Sequence, residues 1–207
     1  MRSNARSLTP NAVFLNIPYD QGFRSLYPGY IAGLVHLGFV PRATLELSGG
    51  TRRLDKIRAL IHGCRYSIHD LSRVGLDRNA PFTTPRFNMP FELGLAVEWE
   101  KSHPADHTWF VFEEQPYRIQ KSLSDLNGTD PHIHGGQVAG VMRELSNVFR
   151  RPRGQPTVPE MMSTFRTLSR RSASLLSEAG ATTLFEGRVF QDLCLEAKIA
   201  TESVASL

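Results

Sequence analysis

The chain predicts an α/β fold, a three-layer flavodoxin-like parallel sheet of about five strands with a helical C-terminal extension. Short runs of branched and aromatic residues at 12–17, 40–47, 66–71 and 108–112 alternate with segments of helical periodicity. The first and fourth runs are nearly continuously apolar, as expected of strands buried on both faces. With 41% hydrophobic and 21% charged residues, the 207-residue chain has the material for a substantial core.

Ala12-Val13-Phe14-Leu15-Asn16-Ile17, ended by Pro18, reads as the first strand. From Phe23 to Leu37, Leu26, Tyr30, Leu34 and Leu37 recur at helical spacing, with Gly38 as a stop. Pro28 and Gly29 within that segment mark a kink or a late start. Residues 40–47 read as the second strand. A turn at Ser48-Gly49-Gly50 follows, then a helix carrying Leu54, Ile57, Leu60 and Ile61 that ends at Gly63. Residues 66–71 form the third strand. The stretch from Ser72 to Phe87, with Pro81 and Pro85, is long enough for a functional flap. A helix from Pro90 to about Lys101 precedes the fourth strand, Thr108-Trp109-Phe110-Val111-Phe112. Beyond it lie a short helix within 117–126, a fifth strand or loop at 130–136, and a helix over 138–149. Residues 150–159 hold three prolines and three arginines and read as a linker, so the division is a domain at 1–151 and a helical extension at 152–207.

No apolar run approaches the roughly 20 residues that span a bilayer. The N-terminus has two arginines but no apolar segment leading to a cleavage site, so it reads as a disordered lead-in rather than a signal peptide. Cys64 and Cys194 lie far apart without a C-x-x-C, which suits a reduced, cytoplasmic chain. The net charge of +4 is mild, and the arginines at 150–153 and 166–171 have no interleaved aromatics. A nucleic-acid surface is therefore disfavoured against a solvated face.

Ligands of such sheets bind at the carboxyl ends of the strands, near the point where strand order reverses. That edge collects Asn16 to Asp20, Asp70 to Arg73 and Glu113 to Gln115. The stretch Pro85-Arg86-Phe87-Asn88-Met89-Pro90-Phe91-Glu92-Leu93-Gly94 adds a carboxylate near the start of a helix. With Pro90 in the first helical position, Glu92 falls at the third, and two roles are open to it. One is electrostatic: a first-turn carboxylate beside free N–H groups and the positive helix end, worth about 0.3–1 kcal/mol. The other is chemical: the same dipole keeps Glu92 ionised, as a nucleophile or as partner of a developing oxocarbenium ion. Tyr19, Phe23 and Phe87 are candidates to stack on a base, against ordinary core filling. Arg86 and, less favourably placed, Arg73 are candidates to grip a phosphate.

The run Asn88-Met89-Pro90-Phe91-Glu92-Leu93-Gly94-Leu95-Ala96 resembles the glutamate-bearing helix of nucleoside 2-deoxyribosyltransferases, and the order of parts over residues 12–115 is similar to that of TIR-type domains. Both families have a flavodoxin-like fold and act on N-glycosidic bonds through that glutamate. The resemblance implies Glu92 as the catalytic carboxylate, with Asp70 helping to hold the sugar or the glutamate. It implies that Asn16 to Tyr19 line the nucleoside pocket; with Asp20, Phe23, Ser72, Arg86 and Asn88 these make the expected substrate-binding set. It implies cleavage or transfer on a nucleotide or nucleoside, with NAD as a substrate and no cofactor required. The rival is a nucleotide-binding sensor or TIR-like interaction module that cleaves nothing. Self-association through the C-terminal helices is expected by the same analogy. Two departures stand out: Asn88 occupies a position where the transferases usually carry aspartate, and the first strand ends in Asn-Ile-Pro-Tyr-Asp instead of a glycine-containing turn. No glycine-rich phosphate loop and no G-x-S-x-G elbow are present. His132 and His134 share a strand face but lack further ligands, so no metal is expected.

Overall fold

A computed structural model of the chain describes residues 8–47, 50, 52–77 and 84–205. The expected lead-in at 1–7, the turn residues Ser48 and Gly49, and the middle of the proline-containing loop with Pro81 lie outside the described residues. In chain order the first half comprises β1 (Thr9–Asn16), α1 (Leu26–His36), β2 (Val40–Arg42), α2 (Arg53–Gly63), β3 (Cys64–Asp70), β4 (Leu76–Asp77) and β5 (Thr84–Pro85). The second half comprises α3 (Asn88–Ser102), β6 (Thr108–Glu113), α4 (Arg118–Ser122), β7 (His132–Ile133), α5 (Val138–Val148), α6 (Val158–Ala179) and α7 (Gly187–Ala205).

The main sheet runs β2-β1-β3-β6-β7, every pair parallel. Counted by its own strands this is the order 2-1-3-4-5, the flavodoxin-like arrangement expected from the sequence. Strand alternation divides the core between the two faces. Val13 and Leu15 join α1, α5, α6 and α7 in the larger apolar cluster, whereas Ala12 and Phe14 pack with Ile57, Leu60 and Ile61 of α2 and Ala96 of α3. The C-terminal helices complete the larger cluster. Leu168 and Leu175 of α6 and Val189 and Leu193 of α7 share it with Tyr27, Tyr30 and Leu34 of α1. Helix α6 has a capping box between Thr157 and Glu160 and stops at Gly180 in the left-handed region, φ 62°.

Several elements depart from the sequence reading. The second strand stops at Arg42 rather than running to 47. Glu46 turns back to accept from the Ala43 N–H at 3.1 Å and Arg42 Nε at 2.7 Å, coiling residues 44–46 into a 3₁₀ turn. The long loop contains a two-stranded antiparallel ribbon, Leu76 opposite Pro85 and Asp77 opposite Thr84. Helix α3 starts at Asn88, with Phe91 N–H bonded to the Phe87 carbonyl at 3.1 Å. Pro90 is therefore its third residue, still among those whose N–H needs no intrahelical partner.

Gly140 is where α5 passes over the end of β7. A Cβ there would stand 2.0 Å from the His134 carbonyl oxygen, and a backbone atom cannot step aside as a side chain can. Gly140→Ala is expected to destabilise the fold by about 1–3 kcal/mol, the scale of core overpacking, read as a lower urea midpoint.

Candidate functional site

The carboxyl end of β1 opens into a cleft of about 380 Å³. Its walls are Ile17, Pro18 and Tyr19 from the segment after β1, Asn88 and Met89 from the first turn of α3, and three arginines. Arg53 comes from the first residue of α2, Arg73 from the segment after β3, and Arg86 from just before α3. Two helix starts and two strand ends thus converge on one cationic hollow. Asp20 divides its charge between two of the arginines, 2.7 Å from Arg86 Nη1 and 3.9 Å from Arg73 Nε, while its Oδ1 caps the 3₁₀ turn at Phe23 N–H, 3.1 Å. Arg73 lies across Gly22, where a Cβ would come within 2.1 Å of its guanidinium.

Glu92 sits one layer behind this wall. Its side chain is 4% exposed and its Oε1 is 3.8 Å from Nη2 of Arg53, whose own side chain is 60% exposed. The Asn16 side chain, at the end of β1, favours the charged form of the Glu92 carboxylate. Its Oε2 is buried with no hydrogen-bond partner, the only such carboxylate oxygen among the described residues. Burial holds the Glu92 carboxyl above its ordinary range, against the opposing pull of Arg53 and the Asn16 hydrogen bond. This corrects the sequence reading on two points. Glu92 is the fifth helical residue, so the role of a first-turn carboxylate on free N–H groups falls away. And its environment resists ionisation rather than favouring it.

Tyr19 lines the cleft with its ring edge-on to Tyr27 and tilted against Phe185. Burial pushes its phenol up to about 12, partly offset by a hydrogen bond with Thr44 and by Arg53, so it stays protonated. The other sequence candidates divide. Asn16, Asp20, Arg86 and Asn88 are brought to the cleft or to Glu92. Phe23 is not: it is 1% exposed and stacked on Tyr30 with ring centroids 6.1 Å apart, a core residue with no face for a base. Phe87 is 71% exposed, outside the wall.

Asp70 and Ser72 also turn inward. Asp70 is fully buried, accepts from Tyr30 Oη at 2.7 Å and from the Ser72 N–H at 2.9 Å, and lies 3.2 Å from His134 Nε2. Ser72 Oγ lies 3.1 Å from the same His134 nitrogen, and its carbonyl accepts from Arg118, which also pairs with the buried Glu113. These side chains tie the ends of β3 and β6 together behind the cleft. His132 faces Glu144 instead, at 3.4 Å, so the two histidines do not converge. Among the described residues no group of three histidine, cysteine or acidic side chains is arranged to hold a metal ion. Nor is any described helix long and apolar enough to cross a membrane.

Sequence reasoning missed Arg53, and with it the link between the cleft and Glu92. A usable signal existed: Arg52-Arg53 opens the helix after the second strand, and every such opening in a parallel sheet lies at the ligand-binding edge. The chain matches no protein-family model and no curated protein.

Proposed function

We propose that the cleft takes a phosphate-bearing nucleotide and that Glu92 acts on its N-glycosidic bond, releasing the base by hydrolysis or transfer to an acceptor. The observation that carries this reading is the unpartnered, buried Oε2 of Glu92 directly behind an arginine-lined cleft. A buried carboxylate oxygen without a partner is a standing cost of about 1–3 kcal/mol, and such a cost is characteristic of sites kept for chemistry. As the base departs, positive charge develops at C1′, and a carboxylate in a poorly solvated place attracts it more strongly than one in water. The ligand's phosphate competes with Glu92 for Arg53, drawing that exposed guanidinium outward and opening the way to the carboxylate. The resemblance of residues 88–96 to the glutamate helix of deoxyribosyltransferases and the order shared with TIR-type domains support the same chemistry. The three arginines favour an NAD-like dinucleotide over an uncharged deoxynucleoside.

The test is incubation with NAD and, separately, with deoxynucleosides, followed by chromatography of the released base. Base release that Glu92→Gln removes is the expected result; no release from any of them would overturn the reading. A second reading, a sensor that binds the nucleotide without cleaving it, is favoured by one observation, that Glu92 lies behind the cleft wall rather than in it. Nucleotide-dependent stabilisation with no turnover would establish it.

Gly22→Ala isolates the arginines from the chemistry. The added methyl displaces the flexible end of Arg73 and comes within 3.2 Å of Asp20 Oδ1, side-chain atoms rather than backbone, so the unfolding midpoint is expected to move little. Affinity for the anionic ligand is expected to fall roughly tenfold, the scale of one charge-assisted contact, in titration calorimetry with NAD.

A further inference from the structure

Beneath the cleft a line of buried side chains crosses the sheet. Asn16 Nδ2 lies 2.9 Å from His69 Nδ1, His69 Nε2 lies 2.9 Å from Ser67 Oγ, Ser67 Oγ lies 2.9 Å from His107 Nε2, and His107 Nδ1 lies 2.9 Å from the Cys64 carbonyl oxygen. Asn16 is 4% exposed and the other three side chains are fully buried. The middle of a parallel sheet is ordinarily apolar, and each polar group placed there must be partnered or it destabilises the fold.

The chain of bonds has a single consistent direction. A carbonyl oxygen only accepts, so His107 carries its proton on Nδ1. Burial holds that imidazole below its ordinary range, leaving one proton and a bare Nε2, which accepts from the Ser67 hydroxyl. The hydroxyl, its hydrogen spent, accepts in turn from His69 Nε2. His69 is pushed down to about 3 by burial and by His107, so its Nδ1 is bare and accepts from the Asn16 amide. The two histidines are thus held in opposite tautomers. Asn16 must present its NH₂ group to His69, and it is as a donor, through that same group, that Asn16 can favour the charged Glu92 carboxylate. Turning the amide over would set its oxygen against a bare ring nitrogen on one side and a carboxylate on the other.

We infer that this buried chain fixes the orientation of the Asn16 amide and, through it, the Glu92 carboxylate, which makes His69 and His107 positioning residues of the site. The catalytic consequence rests on the reading of Glu92 as the working carboxylate; the orientation itself does not. Besides Asn16, the groups facing that carboxylate are Arg53 from α2 and Tyr19 from the segment after β1.

Two measurements test the inference, both on the full chain. Long-range proton–nitrogen correlation of the histidine rings at neutral pH is expected to show His107 protonated on Nδ1 and His69 on Nε2. The same tautomer in both rings, or a proton on His69 Nδ1, would overturn it even if no variant folds. The second measurement follows the Glu92 side-chain carbon through a pH titration. His69→Phe removes the acceptor for Asn16 and is expected to move the Glu92 midpoint upward. His69→Asn, whose side-chain oxygen stands in for Nδ1, is expected to restore it. Base release should fall roughly tenfold to a hundredfold in the phenylalanine variant and recover in the asparagine variant, the scale of one hydrogen bond to a charged group. If the midpoint moves as expected while even the parent protein releases no base, the positioning stands and the glycosidic reading fails. An unmoved midpoint in a folded His69→Phe protein sinks the positioning whatever the turnover.

Discussion

Glu92→Gln is expected to make the protein more stable at pH 8 while removing its chemistry. Both halves follow from one side chain. The amide keeps an oxygen to accept from Asn16 but carries no charge, so the burial that holds the carboxyl above its ordinary range no longer penalises the fold. The sign is definite. A carboxyl whose folded value is raised takes up its proton more readily folded than unfolded, so its ionisation works against folding as pH rises. The gain from the substitution is therefore present above the folded value and fades below the ordinary value of 4.5, where glutamate is itself neutral. Losing the Arg53 contact offsets little, because that guanidinium is largely in water and 3.8 Å away. A gain on the order of 1 kcal/mol is expected at pH 8, shrinking towards nothing near pH 4, in urea titrations of both proteins. Base release should fall by roughly 10³-fold, the effect of removing a preorganised charge from a transition state. A variant less stable than the parent at pH 8 would mean that Glu92 serves as an ionic anchor for Arg53, and the argument from its unpartnered oxygen would fail.

What the residues disclose in advance is set by what periodicity can carry. The strands of this sheet announce themselves through runs such as Trp109-Phe110-Val111-Phe112, and their alternation with helices leaves few topologies open. The order around β1 was therefore legible. Boundaries decided by one side chain were not: Glu46 ends β2 by folding back on Ala43 and Arg42, and nothing in the pattern of residues 40–47 signals it. The site shows the same limit. Proximity to a strand end nominated Asn16, Tyr19 and Asp20, and proximity to Glu92 nominated Arg86 and Asn88; of these, Tyr19, Arg86 and Asn88 line the cleft and Asp20 pairs with Arg86. Strand-end proximity also nominated Asp70 and Phe23, which rotate into the interior against Tyr30. Distance along a chain from a strand end is readable, but the rotation that sends a side chain to the cleft or behind it depends on packing partners far away in sequence. Ser67 and His69 were a missed signal of another kind, since two polar residues two apart in a central strand demand partners in the core.

Those partners bear on acid stability, which is expected to decline from pH 6.5 downward rather than only below the carboxylate range. His69 has no carboxylate beside it to support a positive charge, and burial together with His107 takes it from 6.5 to about 3. His107, His132 and His36 are also lowered, each chiefly by burial. A base depressed in the fold is protonated first in the unfolded chain. Between 6.5 and about 3 the unfolded state therefore holds more protons, and stability rises with pH across that window. For His69 alone the loss on going from neutral pH to pH 3 is on the order of 4–5 kcal/mol, a large part of the 5–15 kcal/mol typical of a folded domain. Glu92 acts in the opposite sense, since acid neutralises it in the fold first, but it is a single group with partial compensation from Arg53. Urea midpoints at pH 7.5, 5.5 and 4.5 are the measurement, and His69→Asn the control, because asparagine does not titrate and its profile should be flatter. The directional chain makes the loss cooperative: a second proton on either histidine turns an acceptor into a donor facing another donor, so the bonds from Asn16 to the Cys64 carbonyl fail together. A midpoint constant from pH 7.5 to 4.5 would mean that water or a rearranged side chain relieves His69, and the single direction assigned to that chain would have to be abandoned.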